Sequence, residues 1–212
     1  GAEAAFDAAF ARAGVLRANT TEEMFQWARA LAWCPLPQGR NVAVLTNAGG
    51  PGVTAADALE QAGLTLAQLA PHTESALAAL LPAAASTHNP VDMLASATPE
   101  QYAGCLRLLL DDPGVDMVLF ITPPPPPATT GGVVKAIIPI VQTCEKPVVA
   151  ALMGDRQIQE GVELARAARI PEYRFPEAAA SALGALWQRV LLLRRLEEPI
   201  LTPAALRPEA LQ

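Results

Sequence analysis

The segment that decides the fold is Asn41-Val42-Ala43-Val44-Leu45-Thr46, followed directly by Asn47-Ala48-Gly49-Gly50-Pro51-Gly52. The first six residues are apolar enough for a buried strand, and the next six form a glycine-rich turn that opens a helix. Glycine lets the backbone approach a ligand closely, and the first N–H groups of a helix lack intrahelical partners. A strand, a glycine turn and a helix in this order are typical of a phosphate or carboxylate site.

Strands and helices alternate after residue 41, which predicts a parallel sheet with helices on both faces. The expected fold class is therefore α/β, a flavodoxin-like, doubly wound parallel sheet. The predicted strands cover residues 41–46, 64–69, 89–93, 115–122, 147–152 and 171–174. The predicted helices cover residues 52–62, 73–81, 98–111, 129–144, 156–168 and 176–196.

The N-terminal residues predict a small α/β appendage to this sheet. A helix over 2–13 ends at Gly14, a short strand follows at 15–17, and Thr20 or Thr21 caps a second helix. We expect residues 1–34 to form the truncated end of a preceding domain, 35–40 a linker, 41–196 the sheet domain and 197–212 a tail. Because the chain starts at Gly1 without Met, we expect it to be a piece of a longer polypeptide.

Composition excludes several classes of function. The 212 residues carry a net charge of −6, and 13 of the 15 basic residues are arginines scattered along the chain, which argues against a nucleic-acid partner. Three widely spaced cysteines argue against a disulfide framework or a zinc site. Apolar runs are interrupted before the roughly 18 residues of a membrane span, so we expect no membrane partner and a cytoplasmic protein.

Four loops should meet at the carboxyl ends of the predicted strands, where open parallel sheets bind their ligands. The glycine turn matches neither G-x-G-x-x-G nor a Walker loop, so an ordinary strand-to-helix turn stays an alternative. Asn47, at the strand end, has an amide that can donate to an anion and accept from a neighbour. The loops are residues 47–52, 89–93, 122–130 and 154–157.

Two further segments at this rim admit both a structural and a ligand-binding interpretation. Asn89-Pro90-Val91-Asp92 forms a polar corner, although turn chemistry alone explains these residue types. Five prolines at 123–127 form either a rigid spacer or a wall over the strand ends, before Thr129-Thr130-Gly131-Gly132 opens a helix. His72 and His88 lack the spacing of a metal site, and no catalytic triad is evident.

Taken in order, these motifs resemble the NDP-forming acyl-CoA synthetases, relatives of succinyl-CoA synthetase that include ADP-forming acetate–CoA ligase. The resemblance covers nearly the whole chain: residues 41–190 are similar to the flavodoxin-like CoA-ligase domain, and residues 2–15 and 21–25 to the end of the preceding succinyl-CoA-synthetase-like domain. It is carried by 42–53, by Asn89-Pro90-Val91-Asp92, by Asp111-Asp112-Pro113-Gly114-Val115-Asp116 and by Lys146-Pro147-Val148.

The resemblance implies a reaction that joins a small carboxylic acid, CoA and a nucleoside triphosphate through an acyl phosphate and a phosphorylated histidine. That histidine lies in a Ser-His-Thr-Gly segment, which neither histidine of this chain matches. ATP or ADP, CoA and Mg²⁺ are implied for the complete enzyme, with none bound tightly to this chain. The implied partners are the CoA-binding and ATP-grasp domains or subunits, so the chain alone should be inactive.

The resemblance also implies the site residues. Asn47 matches an asparagine that contacts the acid substrate, and the proline run replaces a Gly-Gly turn, which moves backbone donation to Ala128, Thr129 and Thr130. No catalytic residue and no metal ligand is expected in this chain. The expected substrate- and phosphate-binding residues are Asn47, Ala48, Gly49, Gly50, Gly52, Asn89, Asp92, Ala128, Thr129 and Thr130.

Two other functions stay open at this point. The first is a non-catalytic sensing or scaffold module of a protein lysine acetyltransferase that carries a degenerate acyl-CoA synthetase region, an interpretation that the proline run favours. The second is a flavin-binding flavodoxin module, which the lack of aromatic-flanked loops disfavours. The identity of the acid and the choice of ATP or GTP are not determined by the sequence.

Overall fold

A computed structural model describes residues 2–124 and 128–197. Six strands form one parallel sheet, as the alternating pattern predicts. The strands are β1 (Asn41–Thr46), β2 (Thr65–Leu66), β3 (Val91–Asp92), β4 (Met117–Thr122), β5 (Val148–Leu152) and β6 (Glu172–Tyr173). The helices are α1 (Ala2–Ala13), α2 (Thr21–Trp33), α3 (Gly49–Gln61), α4 (Pro71–Leu80), α5 (Pro99–Asp111), α6 (Thr130–Val141), α7 (Gln159–Ala167) and α8 (Pro176–Glu197), with a 3-10 turn at Arg156–Ile158 before α7.

The strand order is β2-β1-β4-β5-β6, and β3 also pairs with β1. The chain thus starts in the interior of the sheet and winds out to both edges, which confirms the doubly wound prediction. Strand residues alternate between two cores. Ala43 and Leu45 face the helices α4 to α7, whereas Val42 and Val44 face α2, α3 and α8.

Asn89 explains why β2 and β3 are shorter than predicted. Its Nδ2 group donates to the carbonyls of Val42 (2.8 Å) and Ala67 (3.0 Å), and its Oδ1 accepts from the N–H of Val44 (2.9 Å). The carboxamide therefore takes the place of a peptide group between β2, which pairs with the start of β1, and β3, which pairs with its end. The predicted strands at 64–69 and 89–93 form only where the backbone itself pairs.

The N-terminal segment contains the two predicted helices but not the strand predicted between them. Residues 15–17 form no strand, since Gly14 ends α1 with φ +69° and no neighbouring strand pairs with the segment. Helix α2 is part of the main fold: Trp27 is buried and its Nε1 donates to Ser181 Oγ on α8 at 2.9 Å. Thr20 caps α2, one of the two predicted candidates.

A second link ties α2 to the sheet edge. The buried carboxylate of Glu172 on β6 accepts from Arg29 of α2 (2.6 Å) and from Arg166 of α7 (2.8 Å). Arg29 also lies over the ring of Tyr173, 5.8 Å from its centroid. These contacts fix α2 against the edge strand, and the predicted division of the chain into domains stays a prediction.

Cys34, Cys105 and Cys144 are free thiols, and burial raises the pKa of Cys105 to about 12. Across residues 2–124 and 128–197, no helix is both long and apolar enough to cross a bilayer.

Candidate functional site

The carboxyl ends of β1, β3, β4 and β5 lie at one edge of the sheet, because all the strands run parallel. The loops that leave these ends begin at Asn47, Met93, Pro123 and Met153. We call this edge the rim. It is the position at which doubly wound folds bind ligands.

Helix α3 opens the rim beside β1. It starts at Gly49, three residues earlier than predicted, and its N-cap residue Ala48 has no side chain that can satisfy the first N–H groups. Thr46 holds the turn: Ala48 N–H donates to Thr46 Oγ1 (3.1 Å), whose hydroxyl donates back to Ala48 O (3.0 Å). The N–H groups of Gly49 and Gly50 are therefore the natural donors of this turn for an anion.

The three glycines of this turn have different surroundings. A Cβ on Gly52 would lie 3.2 Å from Thr46 Cγ2, so this buried glycine permits close packing beneath the turn. A Cβ on Gly49 would contact Asp92 Oδ2 at 3.4 Å. A Cβ on Gly50 would meet no atom within 4 Å, so the space beside Gly50 is open. Gly50 thus borders space that a ligand can occupy.

Asn47 is almost completely buried, with 3% of its surface exposed. Its Nδ2 lies 3.5 Å from the carbonyl oxygen of Pro123, which is a long hydrogen bond. Its Oδ1 is buried and has no hydrogen-bond partner. Native proteins pair nearly all buried polar atoms, so an unpaired one at the end of a strand indicates an interaction that a ligand or water completes.

Asp92 lies next to this turn. Its Oδ1 accepts from the N–H of Leu94 (2.9 Å), and its Oδ2 faces Gly49. The structure therefore brings Asp92 to the rim together with Asn47, Gly49 and Gly50. It does not bring the amide of Asn89 there, because all of its hydrogen bonds go to β1 and to Ala67. The side chain of Asn89 thus holds the sheet, and the ligand contact expected of this residue stays a prediction.

The second helix at the rim is α6. Thr129 caps it, since Thr129 Oγ1 accepts from the N–H of Gly132 at 3.0 Å. Thr130 is 1% exposed, and its Oγ1 has no partner. A Cβ on Gly131 would collide with the carboxylate of Glu160, which pairs with Lys135 at 2.7 Å. The starts of α6 and α3 thus each have a carboxylate of this chain beside them, that of Glu160 and that of Asp92 respectively.

A chain of hydrogen-bonded hydroxyl groups, not predicted from the sequence, lies beneath the rim. Tyr102, fully buried on α5, donates to Thr122 Oγ1 (3.4 Å), and Thr122 donates to Pro123 O (2.9 Å), the carbonyl that Asn47 also contacts. Burial raises the pKa of Tyr102, so it stays a neutral donor. One sequence feature could have indicated these groups: Thr46 and Thr122 are each the last residue of a strand.

A cavity of about 570 Å³ lies away from the rim, between α1 and α2. Its lining includes Phe10, Leu16, Met24 and Leu31. We place the candidate site at the rim instead, because the unpaired buried atoms of Asn47 and Thr130 lie at the starts of the two rim helices.

Comparison with known proteins identifies the family. The model of the Ligase-CoA domain matches residues 42–195. The chain belongs to the Ligase-CoA domain family. The predicted resemblance to NDP-forming acyl-CoA synthetases is thereby confirmed.

Relatives of this Ligase-CoA domain protein are ADP-forming ligases. It is 42% identical over 188 residues to the alpha subunit of acetate–CoA ligase [ADP-forming] II of Pyrococcus furiosus, covering 87% of this chain and 41% of that subunit. It is 34% identical over 202 residues to acetate–CoA ligase [ADP-forming] I of Archaeoglobus fulgidus, covering 94% of this chain and 28% of that protein. The chain thus spans about two-fifths or less of the length of these relatives.

Solved structures agree with the family. A protein from Pyrococcus horikoshii OT3 superposes with a TM-score of 0.85 at 43% identity, over 91% of this chain and 45% of that chain. The dinucleotide-forming acetyl-coenzyme A synthetase 1 of Ca. Korarchaeum cryptofilum, solved with phosphate and ADP, gives a TM-score of 0.83 at 31% identity, over 92% of this chain and 43% of that chain.

Proposed function

We propose that this chain is the CoA-ligase domain of an ADP-forming acid–CoA ligase and that its rim binds the phosphate group and part of the acid substrate. The observation that carries the proposal is the start of α3. There, two glycines with no side-chain cap follow an asparagine whose buried Oδ1 has no partner. The family and the ADP-forming relatives support the reaction class.

The chemistry of the rim suits a phosphoryl group in transfer. Partial positive charge at a helix start and outward N–H groups stabilise an anion without any change in the protein's own charge. We propose Ala48, Gly49 and Gly50 as backbone contacts for phosphate and Asn47 as a side-chain contact for phosphate and for the acid substrate. Ala128, Thr129 and Thr130, at the start of α6, are proposed as further contacts for phosphate or the acid.

The remaining parts of the reaction require other domains or subunits. We propose that a phosphorylated histidine, the CoA-binding domain and the ATP-grasp domain lie outside these 212 residues, and that ATP or ADP, CoA and Mg²⁺ bind chiefly there. Within the described residues, no group of three or more His, Cys, Asp or Glu is placed to hold a metal ion. Helix starts stabilise a phosphoryl group but cannot act as the nucleophile that accepts it.

Activity of the chain alone and of the complete protein tests this proposal. With ATP, CoA and an acid, tried first with acetate, the 212-residue chain should form no acyl-CoA, because the groups that accept the phosphoryl group and bind the nucleotide are elsewhere. The same chain combined with CoA-binding and ATP-grasp partners should form acyl-CoA and ADP in equal amounts, measured by chromatography.

The outcome also separates the proposal from its alternative. If the complete protein forms no acyl-CoA from any of a panel of small acids, but binding of an acyl-CoA changes the activity of an attached acetyltransferase, then the domain is a sensing module. Acyl-CoA formation by the isolated chain would contradict the proposed division of labour.

A further inference from the structure

The amide of Asn47, two residues before the start of α3, has a buried acceptor without a hydrogen-bond partner. Its Nδ2 faces the carbonyl oxygen of Pro123, so turning the amide over would bring two oxygens together at this contact. Thr122 and Tyr102 hold Pro123 O in a chain of hydrogen bonds. The contact with Pro123 O therefore fixes which end of the Asn47 amide faces that carbonyl. The Oδ1 of Asn47 remains unpaired.

An acceptor beside an anion site distinguishes oxyanions by their protons. Near neutral pH, inorganic phosphate keeps at least one P–OH group, which can donate to an acceptor, whereas sulfate has no hydrogen to donate. A sulfate oxygen next to Asn47 Oδ1 cannot donate a hydrogen bond, so the buried acceptor would stay unpaired. The lone pairs of the two oxygens would also repel each other, which is unfavourable in a desolvated site.

We propose that Asn47 selects the protonated oxyanion, so that the start of α3 binds inorganic phosphate in preference to sulfate of the same shape and charge. This inference rests on the proposed function, in which phosphate binds at the N–H groups of Gly49 and Gly50. It makes Asn47 a specificity-determining residue of that site. Of the two roles that the sequence allows for the Asn47 amide, donor and acceptor, the proposal assigns the acceptor role to Oδ1 at this site.

Asp92 is the other oxygen group that faces this turn. Its Oδ2 would lie 3.4 Å from a Cβ on Gly49, and its charge weakens the binding of every anion at α3. Phosphate as HPO₄²⁻ and sulfate as SO₄²⁻ carry the same charge, so the charge of Asp92 acts on both alike. The effect of Asn47 depends on the proton of the bound oxyanion, so mutation can separate it from the effect of the Asp92 charge.

Calorimetric titration with two matched pairs of oxyanions tests the proposal. Phosphate and sulfate form one pair, and arsenate and selenate the other; each pair is similar in size, and only its first member carries a proton at pH 8. The 212-residue chain and the complete protein, at constant ionic strength, should bind the protonated members about 10-fold or more tightly than the unprotonated ones, as expected for one buried unpaired acceptor.

Variants of Asn47 separate its role from a structural one. Asn47→Leu and Asn47→Ala lack the acceptor. In both variants, the affinities for phosphate and sulfate should differ by less than about 3-fold, and so should those for arsenate and selenate. Asn47→Asp keeps an acceptor and should retain the preference while it binds all four anions more weakly. Asp92→Asn should bind all four more tightly with unchanged ratios. The thermal midpoint of Asn47→Leu should stay close to that of the wild type, because leucine removes an unpaired buried oxygen and only one long hydrogen bond, to Pro123 O, which keeps the hydroxyl of Thr122.

Three results would overturn the inference while phosphate binding kept the proposed function intact. These are equal affinity of the wild-type protein for phosphate and sulfate, a preserved preference in Asn47→Leu and Asn47→Ala, or a preference that disappears in Asp92→Asn alone. If none of the four anions binds to the wild-type chain or to the complete protein, both the inference and the proposed phosphate site are wrong.

Discussion

Replacing Gly50 by leucine is expected to lower the rate of phosphate-dependent turnover by the complete ligase on the order of 100-fold, similar to the loss of one oxyanion donor in other enzymes. The space beside Gly50 is open, so the new side chain fits the fold and enters the volume proposed for phosphate. It would keep the anion away from the first N–H groups of α3. The measurement is kcat/KM for phosphate in the direction that consumes acyl-CoA and ADP.

The matched control for this variant is Gln61→Leu. Gln61 is the last residue of the same helix and is exposed, so the same side chain is added at the end far from the rim. This control should keep wild-type kinetics, and both variants should keep the wild-type thermal midpoint. Wild-type kcat/KM for phosphate in Gly50→Leu would show that the glycine turn has only a structural role.

Replacing Asn89 by leucine is expected to reduce the free energy of unfolding by about 2–4 kcal/mol, since buried backbone groups left without partners cost about 1–3 kcal/mol each and such costs are not additive. The variant would leave the N–H of Val44 and the carbonyl of Ala67 without this partner, whereas the carbonyl of Val42 keeps the N–H of Ala67 at 2.9 Å. Denaturant unfolding followed by circular dichroism measures the change.

Asn19→Leu provides the comparison, because Asn19 is exposed and the same side chain is introduced. Its free energy of unfolding should stay within about 0.5 kcal/mol of wild type. A loss of phosphate affinity in Asn89→Leu without a loss of stability would restore Asn89 to the ligand site and contradict the structural role that its hydrogen bonds indicate.

The sheet could be predicted from the sequence because its longest strands are also its most apolar segments. β1, β4 and β5 are buried on both faces and read as continuous runs of Val, Leu, Ile and Ala. The lengths of two short strands, β2 and β3, were overestimated for a specific reason. The sequence does not reveal that a side-chain amide, that of Asn89, replaces backbone pairing along β1 between β2 and β3.

The candidate site was predictable where backbone chemistry decides it and less so where side chains do. The glycine turn predicts the start of a helix, and α3 begins within that turn. Asn89 and Asp92 stand three residues apart in one polar corner, yet one pairs with the sheet and the other faces Gly49. Only tertiary contacts distinguish them. The support from Tyr102 has no local sequence signal, as it comes from a helix 20 residues away from Thr122.

The brevity of the edge strands has a consequence for the behaviour of this protein in a crowded solution. One border of the sheet is formed by β2 and β3 and the other by β6, and each of these strands is two residues long. A long, exposed edge is a template on which another polypeptide can add a strand and begin to aggregate. Here the template is too short for stable cross-chain pairing, so association with other subunits should proceed through helices and loops.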